Sequence, residues 1–204
     1  QIHQIFQCLN DHTQVLLVSA TMPVEVLDLT KRFMRNPVQV LMKREALTLE
    51  GIEQYRVDLD GEQHKFPTLM DLYSQLDINQ AIIYCNSRRK SDYVVENLTD
   101  ERFAVSRFHG DMTNDERKLV MNSFRSGETR VLVTTDILAR GIDVQKVSLV
   151  INYDVPRNKE NYLHRIGRSG RFGRKGVAIN LVGPDDKMYL KEIGKVNLLN
   201  KDQE

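Results

Sequence analysis

Tryptophan is absent from the 204 residues, and phenylalanine and tyrosine together supply only 7%. Bases of single-stranded nucleic acid stack on exposed aromatic pairs, so any such partner would be held by its backbone, sequence-tolerantly and salt-sensitively. Cysteine occurs twice, at Cys8 and Cys85 with no C-x-x-C between them. That pattern argues against a disulfide scaffold or zinc module and suits a reducing intracellular compartment. No apolar run approaches the ~18 residues of a membrane-spanning helix, so no membrane partner is expected. Also missing are a G-x-x-x-x-G-K-[ST] phosphate loop, a Gly-x-Ser-x-Gly elbow and any His/Cys/Asp cluster at metal-ligand spacing. No initiator Met and no charged-then-apolar leader is present, and the opening QIHQIFQCL reads as cut from something longer. Net charge is nearly missing too: 29 Lys+Arg against 28 Asp+Glu leave +1. Taken over the whole chain, that speaks against a polyanionic partner.

What is present is an alternation. Strand-like apolar runs fall at 15–19, 38–42, 54–59, 81–85, 104–108, 131–135, 149–153 and 177–182. Several are apolar on successive residues (VLLV, AIIYC, VLV, LVI, AINLV), as expected of strands covered on both faces. Helix patterns lie between them. Thr113-Asn114-Asp115-Glu116 is a capping box opening a helix to Phe124, and Ser126-Gly127 stops it. Pro23 opens another toward Met34, and 87–98, 159–166 and 185–193 complete the set. The fold class is therefore α/β, a doubly wound parallel sheet. The polar segment 43–51 ends on Gly51 and reads as a linker, with a helix over 44–50 as the alternative. After it, 52–204 is long enough for one complete domain; before it, 1–42 is too short to bury a sheet, and reads as the tail of another.

The chemistry concentrates at strand ends and in one basic run. From Arg157 to Lys175 stand seven cations and one anion, Glu160, a local charge of +6. Within it, Arg165, Arg168, Arg171 and Arg174 interleave with Gly167, Gly170 and Gly173. Guanidinium forks match phosphate oxygens, and glycines let a polyanion approach the backbone, so this run is expected to bind phosphate rather than serve as a solvated turn. Thr134-Thr135-Asp136 through Gly141-Ile142-Asp143 follows a strand, where open parallel sheets bind ligands; helix capping is an equal alternative there. Ser19-Ala20-Thr21 and His109-Gly110-Asp111 also end strands, with a cap and a turn as their plain readings. Asn86-Ser87-Arg88-Arg89-Lys90 places three cations at a helix N-terminus, which is electrostatically wasteful unless an anion arrives.

As a set, these motifs resemble the superfamily 2 RNA helicases, specifically the C-terminal RecA-like lobe of a DEAD-box ATPase. HRIGRSGRFGR looks like motif VI, TTDILARGID like motif V, AIIYCNSRRK like motif IV and SAT like motif III, in matching order across essentially the whole chain. LTLEGI, HGDM, FRSG and VSLVINYD further resemble the translation initiation factor four-A branch. The resemblance implies two RecA-like lobes closing over ATP and RNA, with the SAT-bearing end of the first retained in residues 1–42. It implies that Arg168 and Arg171 are arginine fingers, and that Asp143, with Gly141 beside it, meets the ATP ribose. Arg140 and His164 would link the lobes, and Ser19 and Thr21 would couple nucleotide state to closure. RNA contacts would fall to Asn86, Ser87, Arg88, Gly110 and Thr135. Asn122 departs from the pattern, standing where many relatives place an RNA-contacting Arg.

The implied protein is an ATP-dependent RNA helicase, an RNA-stimulated ATPase acting in translation initiation or related RNA metabolism. Its cofactor would be ATP with Mg2+, the metal held mainly by the missing lobe. Partners would be single-stranded RNA, the missing N-terminal lobe and a scaffold protein; the location would be cytoplasmic, with the nucleus as alternative. Without the phosphate loop and the Asp-Glu-Ala-Asp segment, this chain alone is expected to be inactive. The competing reading is a non-enzymatic RNA- or protein-binding module.

Overall fold

A strand is stable only when its backbone groups find neighbours, and the two parts of this chain differ on that point. The computed structural model describes residues 2–10, 12–19, 22, 24–40, 51–76, 78–137, 147–169, 175–194 and 197–198. The chain divides into two compact units, Gln1–Thr48 and Leu49–Glu204.

In the first unit the described elements are helices α1 (Ile2–Gln7) and α2 (Val24–Phe33). They meet through Phe6 and Phe33, whose ring centroids are 5.1 Å apart. The strands expected at 15–19 and 38–42 do not form among the described residues. Leu16, Val18, Val38 and Val40 are 80% exposed or more. Their apolar pattern is strand-like, but among the described residues of this unit none provides a ladder partner.

The second unit is a seven-stranded sheet in the order β3-β4-β2-β5-β6-β1-β7. The strands are β1 (Ile52–Asp58), β2 (Ala81–Tyr84), β3 (Val105–Phe108), β4 (Val131–Thr134), β5 (Leu149–Asn152), β6 (Gly176–Val182) and β7 (Asn197–Leu198). Every recorded pairing is parallel, as the continuous apolar runs predicted. Ile52 of β1 lies opposite Gly176 of β6. Side chains alternate across the sheet: Ala81, Ile83 and Cys85 enter one core, Ile82 and Tyr84 the other.

Helices α3 (Lys65–Gln75) and α4 (Arg88–Asp100) cover the first face with Leu69, Leu72, Val94 and Leu98. Helices α5 (Asn114–Ser126), α6 (Lys159–Ile166) and α7 (Lys187–Ile193) cover the second with Met121, Phe124, Tyr162, Ile166 and Leu190. The Thr113–Glu116 capping box forms as the sequence predicts, and Gly127 closes α5 at φ +86°. The helix expected over 185–193 divides into a 3-10 turn, Pro184–Asp186, and α7. The sequence pattern, which Pro67 interrupts, predicts no helix over 65–75, yet α3 forms there. A proline in the first turn lacks only an N–H that has no partner there, so the helix survives it.

Candidate nucleic-acid interface

Parallel pairing brings the exits of four strands to one edge of the sheet. Tyr84 lies opposite both Thr134 and Asn152, and Thr134 opposite Phe108. The residues that follow are therefore neighbours in space: Asn86 and Ser87 after β2, Gly110 after β3, Thr135 and Asp136 after β4, Asp154 after β5. In open parallel sheets this carboxyl edge is where ligands bind. All five expected RNA-contact positions, Asn86, Ser87, Arg88, Gly110 and Thr135, lie along it.

The turn at 86–88 is exposed, yet it is held from behind. Ser87 caps α4, its Oγ accepting from the Lys90 amide at 3.3 Å. The Asn86 amide donates to Asp154 Oδ2 at 2.8 Å, its Nδ2 donates to the Val155 carbonyl at 2.8 Å, and its Oδ1 accepts from Arg165 at 2.7 Å. Two of the three cations, Arg88 and Lys90, already have carboxylate partners within the fold. Lys90 Nζ reaches Glu62 at 2.6 Å and Asp154 at 2.7 Å, while Arg88 pairs with Asp111 and, at 3.6 Å, with Asp92. Except for Asp92, one turn along α4, these carboxylates come from other segments of the chain.

Behind the turn lies a cluster that sequence reasoning did not find. Lys65 is fully buried, its Nζ at 2.8 Å from Glu62, 3.2 Å from Asp154 and 2.7 Å from Asp186. Burial works to raise the pKa of Asp154, but the Asn86 amide and the Lys90 and Lys65 ammonium groups outweigh it and hold the carboxyl below its ordinary range. Burial likewise opposes the charge on Lys65, and Asp186, Glu62 and Asp154 overcome it, raising its pKa. No local pattern announces this cluster, because its members come from four separate segments; an isolated Lys at a buried helix position is the nearest signal.

The basic run proves heterogeneous. Arg165 is fully buried and bonds Asp136 at 2.6 Å, the Asp154 carbonyl at 2.8 Å, Asn152 at 3.3 Å and Asn86, with its guanidinium 5.2 Å from the Tyr84 ring centre. Its charge is used inside the protein and is not offered to phosphate, which corrects the reading of all seven cations as one binding face. Asp136, in turn, accepts from Arg165 and Asn161, with its side chain 39% exposed. From Arg165 the polar chain continues through Asn152 and Asn180 to Tyr162 and Gln54. Burial pushes the Tyr162 hydroxyl up to about 12, with Asn180 opposing.

Arg168 lies just beyond α6, 9% exposed, with Nε donating to the His164 carbonyl at 3.3 Å. His164 is half-buried on α6. Gly110 is exposed, and a Cβ there would meet only the terminal methyl of Ile137, at 3.2 Å. Arg117 of α5 donates to the Gly110 carbonyl, a support that sequence reasoning missed. Thr135 is half-buried, and Asn122 is exposed on α5. Ser19 is exposed within the first unit. Thr21, Arg140, Gly141, Asp143 and Arg171 lie outside the described residues, as does the alternative helix at 44–50. Among the described residues, no group of three His, Cys, Asp or Glu side chains is placed to hold a metal ion, and no helix is long and apolar enough to cross a membrane.

With this geometry in hand, comparison with known proteins is specific. The sequence model of the family "Helicase conserved C-terminal domain" matches residues 64–173. That of "Sigma-70 factor, region 1.2" matches only 187–204, mostly the chain's end, and carries no argument. Eukaryotic initiation factor 4A of Caenorhabditis elegans is 58% identical over 193 residues, covering 95% of this chain and 48% of that protein. ATP-dependent RNA helicase eIF4A of Mycosarcoma maydis is also 58% identical over 193 residues, 95% of this chain and 47% of its own. Among solved structures, S. cerevisiae Dbp5 bound to RNA and ADP BeF3 superposes with a TM-score of 0.89 at 33% identity, over 98% of this chain and 54% of that one. E. coli DEAD-box protein SrmB, bound to regulator of ribonuclease activity A, matches at a TM-score of 0.70 and 33% identity, over 74% of this chain and 92% of that one. The chain thus spans about half the length of the curated relatives it matches.

Proposed function

The chain belongs to the helicase conserved C-terminal domain family, and from that premise we propose that it is the C-terminal part of an ATP-dependent RNA helicase acting in translation initiation. The observation that carries the proposal is the common edge on which Asn86, Ser87, Arg88, Gly110 and Thr135 are gathered by four parallel strands. Likeness to initiation factor 4A supports the placement in translation, and with it a cytoplasmic location, the nucleus being the alternative. Residues 1–42 would be the end of the ATP-binding lobe, 43–51 the linker and 52–204 the second lobe.

In this reading RNA lies along the carboxyl edge, its phosphates near Arg88, the α4 N-terminus and the bare backbone of Gly110. Recognition through the sugar-phosphate chain is tolerant of sequence and weakens with salt. The triphosphate substrate would be met from this side by Arg168 and Arg171, with Asp143 accepting from the ribose beside Gly141 and Ser19, Thr21, Arg140 and His164 coupling the two lobes. Arginine forks, a carboxylate and a glycine form a donor set that suits a nucleoside triphosphate. Magnesium, when bound, neutralises charge on the transferring phosphoryl group, and it would be held mainly by the preceding lobe. A scaffold protein is a further proposed partner; Dbp5 and SrmB have each been seen with a protein bound.

The test is RNA-stimulated ATP hydrolysis and strand separation by the full-length protein. Stimulation is expected, and this chain alone is expected to show no hydrolysis. Arg171→Ala in the full-length protein is expected to lower turnover by roughly 10³–10⁵, as loss of an arginine finger does. A wild-type protein indifferent to RNA, or a hydrolytically active isolated chain, would count against the reading.

A further inference from the structure

We propose that Asp154 is a positioning residue for RNA binding: clamped between Lys65 and Lys90, it fixes the backbone of Asn86 and so the turn at 86–88. The inference rests on the reading of that turn as an RNA contact.

Both oxygens of the Asp154 carboxylate are committed. Oδ2 accepts from the Asn86 amide at 2.8 Å; Oδ1 accepts from Lys90 at 2.7 Å and from Lys65 at 3.2 Å. Asn86 opens the turn and Lys90 lies in the first turn of α4, so one side chain holds the segment at both ends. Lys65 is tied in turn to Glu62 and Asp186, and Asp186 accepts from the Gly183 amide at 3.1 Å. The clamp is thereby anchored to the ends of β5 and β6 and to the start of α3.

Asp154 is 1% exposed and Lys65 is fully buried, so neither can touch RNA, and any effect they have on it passes through the turn. A buried ion cluster is a poor source of net stability, because desolvation offsets the attraction. What this one supplies is direction: charged acceptors and donors with few alternative arrangements, aimed at one backbone N–H. Pre-set geometry spares the cost of ordering the turn when RNA arrives.

Charge and geometry predict opposite signs. Asp154→Asn removes a negative charge near a polyanion site, which by electrostatics alone tightens RNA binding. Loss of the clamp loosens it. In the full-length protein, Asp154→Asn is expected to raise the RNA concentration for half-maximal ATPase stimulation about tenfold, the scale of a lost hydrogen bond to a charged group. Turnover at saturating RNA and the KM for ATP should stay within about twofold, since uniform RNA binding alone is affected. Glu62→Gln guards against misfolding of the first variant, because Glu62 is 43% exposed and shares the same two lysines. It should shift half-saturation the same way by a smaller factor. Unchanged or tighter RNA binding in a folded Asp154→Asn or Glu62→Gln protein overturns the positioning role alone. A wild-type protein showing no RNA stimulation overturns the reading of the turn, and this inference with it.

Discussion

Asp154 and Asp111 both stand beside the turn at 86–88 and do different things there. Asp154 holds the turn from within the protein. Asp111 is exposed and pairs with Arg88 from outside, on the side where the proposed RNA contact would place a phosphate. An exposed ion pair contributes little to stability, so Asp111 is in competition with RNA more than in support of the fold. Asp111→Asn should therefore tighten RNA binding by roughly twofold to fivefold, the range of a surface pair. Fluorescence anisotropy at fixed salt measures it, and weaker binding would mean that Asp111 organises Arg88 for RNA and does not mask it. Removal of negative charge thus has opposite outcomes at residues 111 and 154.

Helices and turns were the legible part of the molecule. The α6 boundaries and the α5 capping box can be read from short-range chemistry alone, as can the buried parallel strands from their unbroken apolar runs. Helix α3 is obscured by Pro67, and the strand-like runs of the first unit form no ladder among the described residues, because propensity is local and pairing is not. Of the candidate site, the strand-end motifs were visible as sequence. The use of Arg165, Lys90 and Asp154 was not, since each is defined by partners brought from elsewhere in the chain. At this scale Gly127 offers a clean test. It ends α5 at φ +86°, and no atom lies within 4 Å of where a Cβ would stand. Gly127→Ala should cost about 1–2 kcal/mol through backbone conformation alone; an unchanged midpoint in urea denaturation would show that the C-cap relaxes into another conformation.

Within the second unit, Asp154 and Lys65 bound a pH window, while burial raises the pKa of Asp186 despite Lys65 and so offsets part of its acid side. Burial opposes the charge on Asp154, but its partners hold the folded pKa below the unfolded value. Its contribution is therefore present above the ordinary Asp value of about 3.9 and lost as pH falls through the folded one. Lys65 is raised against the same burial, so its contribution is complete below about 10.4 and lost as pH rises through the folded value. The melting temperature should be level near neutrality and fall at both ends. Asp154→Asn should flatten the acid limb; an unaltered acid limb would place the titrating group elsewhere.

The register of β1 has a consequence for how the protein is made. Ile52 finds its neighbour at Gly176, so β1 leaves the ribosome long before β6 exists to receive it. At ~5–20 residues per second, that strand waits on the order of ten seconds without its partner. The lobe should remain protease-sensitive on stalled ribosomes until β6 has cleared the exit tunnel, then become resistant in one step. Earlier resistance would mean that β2 to β5 assemble without it. During that interval the nascent chain's vulnerability is set by the order in which its strands are synthesised.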